Sequence, residues 1–239
     1  MRRLVGVGVG PGDPEMLTVG ALRRIREADH VLAPTIAMDR AGRAEEVVRA
    51  AVGEIVVDRI VFDMEAGSAG QALRNIAAEH AAQSVAGKLA EGGTSVFITL
   101  GDVSLYSTFY PLQKAVRAIL PDIVVEMVPG ITAFSYLAAQ TTTDLLDNSE
   151  RLYVVAVLNQ DDLTHLRLLL SDAQASLVLY KCGRRFGAVR EALAEAGRLD
   201  SALVGEQMGT MAERIAPAKE FNSAGLSYFA TVILPALRS

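Results

Sequence analysis

Residues 4–14 read Leu4-Val-Gly-Val-Gly-Val-Gly-Pro-Gly-Asp-Pro14, a short β-type run that passes directly into closely spaced glycine and proline. The valines predict a buried strand, and the residues after them predict a tight loop at its carboxyl end. In α/β folds, ligands bind beside the carboxyl ends of parallel strands. The stretch therefore predicts an α/β fold that opens with a strand and a candidate ligand loop.

The glycine loop does not match a dinucleotide site. The dinucleotide fingerprint needs glycines at i, i+2 and i+5, and the last place is Pro11 when counted from Gly6 and Asp13 when counted from Gly8. Proline removes an N–H group from a loop that would bind pyrophosphate, and Asp13 would add a negative charge there. The loop suits a ligand without phosphates, although a turn without any ligand is an equal alternative on the glycines alone.

The rest of the chain alternates strand-like and helical segments, as α/β layer folds do. Strands are predicted at Leu4–Val9, His30–Ala33, Glu54–Ile60, Ser95–Leu100, Ile123–Val128, Leu152–Leu158, Leu177–Tyr180, Ala202–Glu206 and Phe229–Leu234. Helices are predicted at Thr18–Ala28, Arg43–Val52, Ala69–Glu91, Tyr110–Leu120, from about Thr132, at Leu163–Leu170 and at Phe186–Glu195. The apolar run Ser95–Leu100 is typical of a parallel strand covered on both faces.

Two features of this pattern concern packing and domain organisation. The long alanine-rich helix is predicted to place one set of residues on a common face: Leu73, Ile76, Ala77, His80, Ala81, Ser84 and Leu89. Pro129-Gly130 breaks the chain before the next helix. We therefore expect two α/β domains, residues 1–128 and 129–239.

Composition narrows the classes of function. The 239 residues are 51% hydrophobic, and no apolar run reaches the ~18 residues of a membrane span. Met1-Arg2-Arg3 leads into a strand and not into a signal sequence, so we expect a cytoplasmic protein. One cysteine and three scattered histidines predict neither a disulfide framework nor a metal site. The net charge of −5 gives no support to nucleic-acid binding, so an anionic substrate would have to meet local cations.

Three motifs at predicted strand ends resemble the tetrapyrrole (corrin and porphyrin) methylase family. They are Gly6-Val-Gly-Val-Gly-Pro-Gly-Asp-Pro-Glu-Met-Leu-Thr18, Gly101-Asp-Val-Ser-Leu-Tyr-Ser-Thr108 and Val128-Pro-Gly-Ile-Thr-Ala-Phe134. The resemblance runs along the whole chain, in order and at the expected spacings. Within the family, Tyr106-Ser-Thr-Phe109 and Leu179-Tyr-Lys-Cys-Gly-Arg-Arg185 resemble the members that methylate carbon 20 of precorrin-2.

The resemblance implies two α/β domains with S-adenosylmethionine in a cleft between them, a tetrapyrrole substrate and a homodimer. Carried over by motif, the implied cofactor contacts are Pro11, Leu100, Gly101, Asp102, Leu105, Thr132, Ala133 and Lys181. Lys181 stands where relatives often have methionine. The sequence departs from the family pattern at Val103, where proline is usual, and at Phe62-Asp63-Met64, where Phe-Pro-Met is common.

Methyl transfer from a sulfonium needs positioning of the carbon nucleophile and not a protein nucleophile. Asp102 and Tyr106 are the candidate catalytic residues. Alternatively, Asp102 is a turn residue that bonds its own backbone, and Tyr106 fills the core. Arg184 and Arg185 are candidates to bind substrate carboxylates, or else form a solvated helix start. His80 is expected to be a packed core or dimer residue, and Cys182 to be unreactive.

Three other functions stay open. The first is another methylase of the same family that acts on a different carbon or on uroporphyrinogen. The second is a nucleotide-dependent oxidoreductase, which the broken fingerprint disfavours. The third is a non-catalytic tetrapyrrole-binding protein, for which Val103 is the one hint. The sequence does not distinguish metal-free from cobalt-loaded substrate, because both present the same carbon and periphery.

Overall fold

The chain forms two compact units, Met1–Thr132 and Ala133–Ser239. The computed structural model describes residues 1–62, 70–222 and 224–238, and in the helix that starts at Gly70 it describes side chains from Ile76 onward. The units divide at the start of a helix, whereas the boundary predicted after residue 128 falls at the end of the preceding strand. Asp63, Met64 and the side chain of Leu73, which entered the sequence predictions, lie outside the described part.

The first unit is a parallel sheet with helices on both faces, as the apolar strands predict. Its elements are β1 Arg2–Gly8, α1 Val19–Arg26, β2 His30–Thr35, α2 Arg43–Val52, β3 Asp58–Val61, α3 Gly70–Lys88, β4 Gly93–Thr99, α4 Phe109–Ile119 and β5 Val124–Val128. The strand order is β3-β2-β4-β1-β5, so β1 lies between β4 and β5. Parallel pairing brings the carboxyl ends of β4, β1 and β5 to one edge of the sheet.

Alternate residues of β1 enter two separate cores because side chains alternate across a strand. Val5 and Val7 are buried with residues of α1 and α2, whereas Leu4 is buried with residues of α3 and α4. A Cβ atom at Gly6 would lie 2.6 Å from the Phe109 ring, so glycine lets α4 approach the sheet closely. This close approach places the start of α4 beside the end of β1.

The second unit contains a mixed sheet. Its elements are α5 Ala133–Gln140, β6 Arg151–Ala156, α6 Gln160–Leu170, β7 Ala175–Tyr180, α7 Phe186–Glu195, β8 Leu203–Glu206, β9 Arg214–Pro217 and β10 Thr231–Leu234. The strand order is β6-β7-β10-β8-β9. β6 and β7 are parallel, while β10 runs antiparallel to both of its neighbours.

The structure confirms two α/β units and corrects some local predictions. β9 was not predicted from the sequence. The common face predicted for the long helix does not coincide with its buried side, because Ile76, His80 and Ser84 are exposed. The buried positions are Ala78, Ala81, Ala82, Val85 and Leu89. Alanine occurs on several sides of this helix, so the apolar pattern does not single out one face. Across the described ranges, no helix is long and apolar enough to cross a membrane.

Candidate functional site

Three loops meet at the carboxyl edge of the first sheet. The loop after β1 and the loop after β4 are joined by a pair of backbone hydrogen bonds, from Gly10 N to Gly101 O at 3.2 Å and from Gly101 N to Gly10 O at 2.6 Å. Val9 N also donates to Thr99 O at 2.9 Å. The Gly10–Gly101 pair is an antiparallel bridge beyond the parallel β1–β4 pairing, and together these bonds fix the two loops to each other.

The loop after β5 packs against the other two through glycine. A Cβ atom at Gly8 would lie 2.7 Å from Gly101 O and 2.7 Å from Gly130 N. A Cβ atom at Gly130 would lie 2.7 Å from the carbonyl carbon of Gly8. Real Cβ atoms do not approach backbone this closely, so the three loops can touch only because Gly8 and Gly130 have no side chain. Gly101 has a φ of +71°, a second reason for glycine at this edge.

Asp102 links two of these loops through its carboxylate. One oxygen, Oδ1, accepts hydrogen bonds from the Ser104 backbone N–H at 2.8 Å and from the Ser104 hydroxyl. The other, Oδ2, accepts from the Gly130 N–H at 2.8 Å, across 28 residues of sequence. Asp102 is therefore a turn residue that also holds the loop after β5 in place.

The hydrogen bonds keep the Asp102 carboxylate ionised. Partial burial acts to raise the pKa of Asp102, but hydrogen bonds from the Ser104 side chain, the Gly130 N–H and the backbone of Ser104 and Val103 together lower it below its usual value. Bonds from donors favour the charged form of a carboxyl group. The edge thus carries a fixed negative charge at neutral pH.

Val103 and Tyr106 follow Asp102 and play different parts. Val103 is buried, and its methyl group would be 2.7 Å from a Cβ atom at Gly6, so it packs in the core under the loop. Tyr106 has a φ of +50°, which is strained for a residue with a side chain, and its ring is about half exposed. Val103, which stands where the family usually has proline, thus packs in the core, while the Tyr106 ring lies at the surface.

Most of the predicted cofactor contacts lie on these three loops. Pro11 is buried; the other members in the first unit are partly exposed, namely Leu100, Gly101, Asp102, Leu105 and Thr132. Ala133 is partly exposed as well and begins α5, the first element of the second unit. The structure therefore groups six of the eight predicted residues at one sheet edge.

The remaining predicted residues lie at the carboxyl end of β7 in the second unit. Lys181 has a φ of +57°, and Arg184 and Arg185 lie in a 3₁₀ turn just before α7. Arg184 is exposed. Arg185 is partly buried, and its Nε donates to Leu158 O at 2.9 Å after β6. The two arginines therefore precede the helix and do not form its first turn.

Two other residues of the sequence analysis have clear places in the structure. His80 is exposed on α3, so it is not a packed core residue, and the alternative role at a dimer interface stays a prediction. Cys182 is fully buried, and burial raises the pKa of its thiol to about 12, which keeps it in the unreactive thiol form.

Sequence reasoning missed Tyr228 and Phe229, which lie just before β10. Their rings meet edge to face with centroids 5.2 Å apart, and they are 40% and 44% exposed. The stretch Ser227-Tyr228-Phe229-Ala230 has no motif. The sequence analysis placed Phe229 at the start of a predicted strand, whereas the structure begins that strand at Thr231. The pair of adjacent aromatic residues was the one signal available.

The fold and the glycine-lined edge define a class of α/β proteins that bind a small ligand at the carboxyl ends of parallel strands. Comparison with family models makes the class specific, because the model of the Tetrapyrrole (Corrin/Porphyrin) Methylases matches residues 3–222. The chain belongs to this family.

Individual relatives are similar along the whole chain. The chain is 32% identical over 242 residues to the precorrin-2 C(20)-methyltransferase of a Sinorhizobium species, with 98% of this chain and 95% of that protein covered. It is 32% identical over 242 residues to the cobalamin biosynthesis protein CobIJ of Mycobacterium tuberculosis, with 97% of this chain covered but 46% of that protein. The chain thus spans about half the length of CobIJ.

A solved structure supports the fold. The cobalt precorrin-4 methyltransferase CbiF superposes with a TM-score of 0.68 at 19% sequence identity, covering 98% of this chain and 94% of that one. At this identity the structural likeness establishes the fold of the chain and does not identify its substrate.

Proposed function

We propose that this chain is an S-adenosylmethionine-dependent methyltransferase that methylates carbon 20 of precorrin-2 or of its cobalt-loaded counterpart. The observation that carries the proposal is family membership together with 32% identity, over nearly the full length of both chains, to a relative named for that reaction. The family resemblance also leads us to propose a homodimer.

The edge of the first sheet fits the methyl donor. S-adenosylmethionine supplies the reaction with an electrophilic methyl group on a positively charged sulfur. The loops of residues 9–13, 100–105 and 129–132 contain no lysine or arginine, and they include Asp13 and the ionised Asp102. An edge with fixed negative charge favours a cation over a phosphate-bearing nucleotide. The backbone groups of the touching glycines can approach such a ligand closely.

The chain's own residues act in this reaction by positioning. In-line displacement needs the reacting carbon atoms held about 3–3.5 Å apart, and the carbon nucleophile comes from the substrate. Asp102 holds the loop after β5 through Gly130, and the Gly10–Gly101 bonds hold the loop after β4 to the loop after β1. All three loops are thus fixed before a ligand binds.

The substrate is a polycarboxylate, whereas the protein carries a net charge of −5. Binding therefore depends on local cations, and Arg184 and Arg185 are suited to carboxylates. Successive residues in a 3₁₀ turn diverge by about 120°, so the two side chains point in different directions. Replacing the one that contacts substrate with alanine should raise the KM for the tetrapyrrole about tenfold to a hundredfold, as for the loss of one charged hydrogen bond.

The direct test offers precorrin-2 and cobalt-factor II separately, under anaerobic conditions, with methyl-labelled S-adenosylmethionine. We expect label in the product at carbon 20, located by carbon NMR, with one of the two substrates preferred. Label at another carbon would assign a different methylase of the family. Binding of the tetrapyrrole without any transfer would overturn the enzymatic assignment.

A matched pair of variants tests the assigned donor edge. Asp102→Ala should weaken binding of S-adenosylhomocysteine in calorimetry, because the loop after β5 loses its hydrogen bond to the carboxylate. His80→Ala removes an exposed side chain of α3 and should leave both binding and turnover unchanged. Equal losses in the two folded variants would contradict the placement of the donor.

A further inference from the structure

The carboxyl edge of the first sheet extends past the three glycine-lined loops. β2 pairs with β4 in parallel, with Leu32 opposite Phe97, so the end of β2 at Thr35 lies beside the end of β4. Neighbouring strands of a sheet lie about 4.8 Å apart. The β2 loop, residues 36–42, therefore begins next to the loop after β4, on the side away from the loop after β1.

The hydroxyl of Thr35 closes the β2 loop. It is buried and lies 2.8 Å from Ala37 O and 2.7 Å from Arg40 O, and it accepts from Ala37 N at 3.3 Å. A Cβ atom at Gly42 would overlap Pro34 O, so only glycine lets the end of the loop return against β2. The two ends of the loop are thus held to the strand from which it starts.

A buried ion pair holds the middle of the same loop. The Glu45 carboxylate, fully buried on α2, accepts from Arg59 Nε at 2.8 Å and from Arg59 Nη2 at 3.0 Å. Arg49 Nε also donates to it, at 2.9 Å. The remaining nitrogen of the Arg59 guanidinium, Nη1, donates to Met38 O at 2.9 Å. Buried charges need such partners, and here the pairing also fixes the backbone of Met38.

The β2 loop carries two large apolar side chains at the surface. Ile36 is 54% exposed and Met38 is 62% exposed. A single exposed apolar residue needs no explanation, whereas two in one short loop form an apolar patch, which is typical of a binding surface. The backbone of the loop is fixed while this patch stays uncovered. The loop is therefore suited to a ligand that packs against it.

The position of the methyl donor limits what this ligand can be. The donor is assigned to the loops after β1, β4 and β5, and methyl transfer needs the nucleophile about 3–3.5 Å from the methyl group. The substrate must therefore lie beside these loops, and the next strand beyond β4 is β2. Tyr106, whose ring is about half exposed, lies in the loop after β4, which is next to the β2 loop.

We propose that Ile36 and Met38 form a platform on which the tetrapyrrole macrocycle packs beside the methyl donor, while Arg40 binds one of its peripheral carboxylates. This inference rests on the proposed function and adds residues that position the substrate. A macrocycle presents an apolar π-face with a charged rim. Methionine adapts to irregular shapes and packs well against π-systems, and arginine suits carboxylates. Arg40 is exposed in the same loop.

The test measures binding and turnover of Ile36→Ala, Met38→Ala and Met38→Leu. Cobalt-factor II is titrated into each protein without methyl donor and followed by its visible absorbance, and S-adenosylhomocysteine is titrated by calorimetry. The matched control is Val56→Ala, which removes an 86% exposed side chain just before β3, at the amino edge of the same sheet. Melting temperatures verify that each variant folds, and sedimentation velocity gives its oligomeric state.

Each alanine variant should bind the tetrapyrrole about threefold to tenfold more weakly, as for the loss of one aliphatic contact, with a matching rise in KM. Their kcat, melting temperature and affinity for S-adenosylhomocysteine should stay close to wild type, because both side chains are exposed in the free protein. Met38→Leu should lie near wild type, and Val56→Ala should match it. Arg40→Gln should weaken tetrapyrrole binding at low salt and less so at high salt.

Thr35 acts on the substrate through the β2 loop and is tested as a positioning residue. Thr35→Val removes the hydroxyl that closes the loop, so it should raise KM for the tetrapyrrole and leave the affinity for S-adenosylhomocysteine unchanged. Thr35→Ser keeps the hydroxyl and should restore KM. An equal loss of both ligands in Thr35→Val would contradict a role confined to the β2 loop.

Unchanged tetrapyrrole affinity in both alanine variants, or a loss confined to S-adenosylhomocysteine, would overturn the platform and leave the proposed function standing. Dissociation of the protein into monomers at unchanged tetrapyrrole affinity would assign the apolar patch to contact between two copies, and would also overturn the platform alone. A wild-type protein that binds neither cobalt-factor II nor precorrin-2 would overturn both.

Discussion

Replacing Gly130 with alanine tests whether contact among the three loops of the first unit determines the donor site. The new Cβ atom would lie nearest to Gly101 O in the loop after β4, and 2.7 Å from the carbonyl carbon of Gly8, while ordinary contacts begin at 3.4 Å. The neighbouring atoms are backbone, so no side chain can turn away. The loop after β5 must therefore move by about 0.7 Å or more relative to β1, by the spacing of ordinary contacts.

The cost follows from that displacement. Overpacking of this kind costs about 1–3 kcal/mol, and we expect about 2 kcal/mol of lost stability in the first unit. This corresponds to a melting point lowered by roughly 4–8 °C in calorimetry. Misplacement of a site by about 1 Å can reduce turnover about a hundredfold, so kcat/KM should fall by about that factor. The affinity for S-adenosylhomocysteine should fall as well.

Gly87→Ala is the matched control for the loss of a glycine. Gly87 lies in α3, and nothing is within 4 Å of the position of its Cβ atom. Alanine there should stabilise the helix by about 0.5–1 kcal/mol and leave kinetics unchanged. If Gly130→Ala melts and turns over like wild type, the three loops are not held by contact at Gly8, and the account of the site is wrong.

Three further predictions concern buried or linked groups. Asp102 has a lowered pKa in the folded state, so its contribution to stability is present above about pH 4 and is lost as pH falls through the folded pKa. The difference in unfolding free energy between wild type and Asp102→Asn should accordingly shrink from pH 6 to pH 3 in urea titrations. Cys182 should resist thiol reagents at pH 8 and react fully in urea, because its pKa is raised to about 12 by burial; labelling of the native protein would show that it opens. Arg198→Met should cost about 3 kcal/mol, since the buried guanidinium donates to Ala175 O and Pro235 O, and a melting temperature equal to wild type would refute this.

The sequence predicted helices best where glycine or charge bounds them. The bounds of α2 at Arg43–Val52 and of α7 at Phe186–Glu195 agree with the prediction. Gly42 and Gly53 enclose α2, and Gly53 has a φ of +80°, which ends the helix in a conformation that glycine adopts readily. Such helix start and stop signals depend on a few adjacent residues, so they can be identified without the tertiary structure.

The antiparallel direction of β10 and the edge strand β9 could not be predicted in the same way. A strand has the same alternation of side chains whether its neighbour runs parallel or antiparallel. β9 is four residues long, ends in Pro217 and lies at the edge of the sheet, so its pattern is too short to distinguish from a loop. The position of Tyr228 and Phe229 depends on the antiparallel direction of β10, and for that reason sequence analysis did not find them.

The loops of the candidate site were predictable in location but not in their mutual contacts. Glycine and proline at three strand ends indicated where a ligand would bind. The bond from Gly130 N to Asp102 joins residues 28 apart, and only the folded sheet brings them together. The sequence therefore suggested two alternative roles for Asp102, a turn residue or a site residue. The geometry shows a turn residue whose second oxygen also holds the loop after β5, and a contact with the cofactor stays a prediction.

The position of β1 between β4 and β5 has a consequence for folding during synthesis on the ribosome. β1 leaves the ribosome before either of its neighbours, which are the strands Gly93–Thr99 and Val124–Val128. Both hydrogen-bonding edges of this strand stay unsatisfied until about residue 99 has emerged, and one of them until about residue 128. Pairings this distant in sequence form slowly. A nascent chain with such open edges is prone to wrong partners and to aggregation. The strand that anchors the three loops is thus exposed to wrong pairing while the chain is being synthesised.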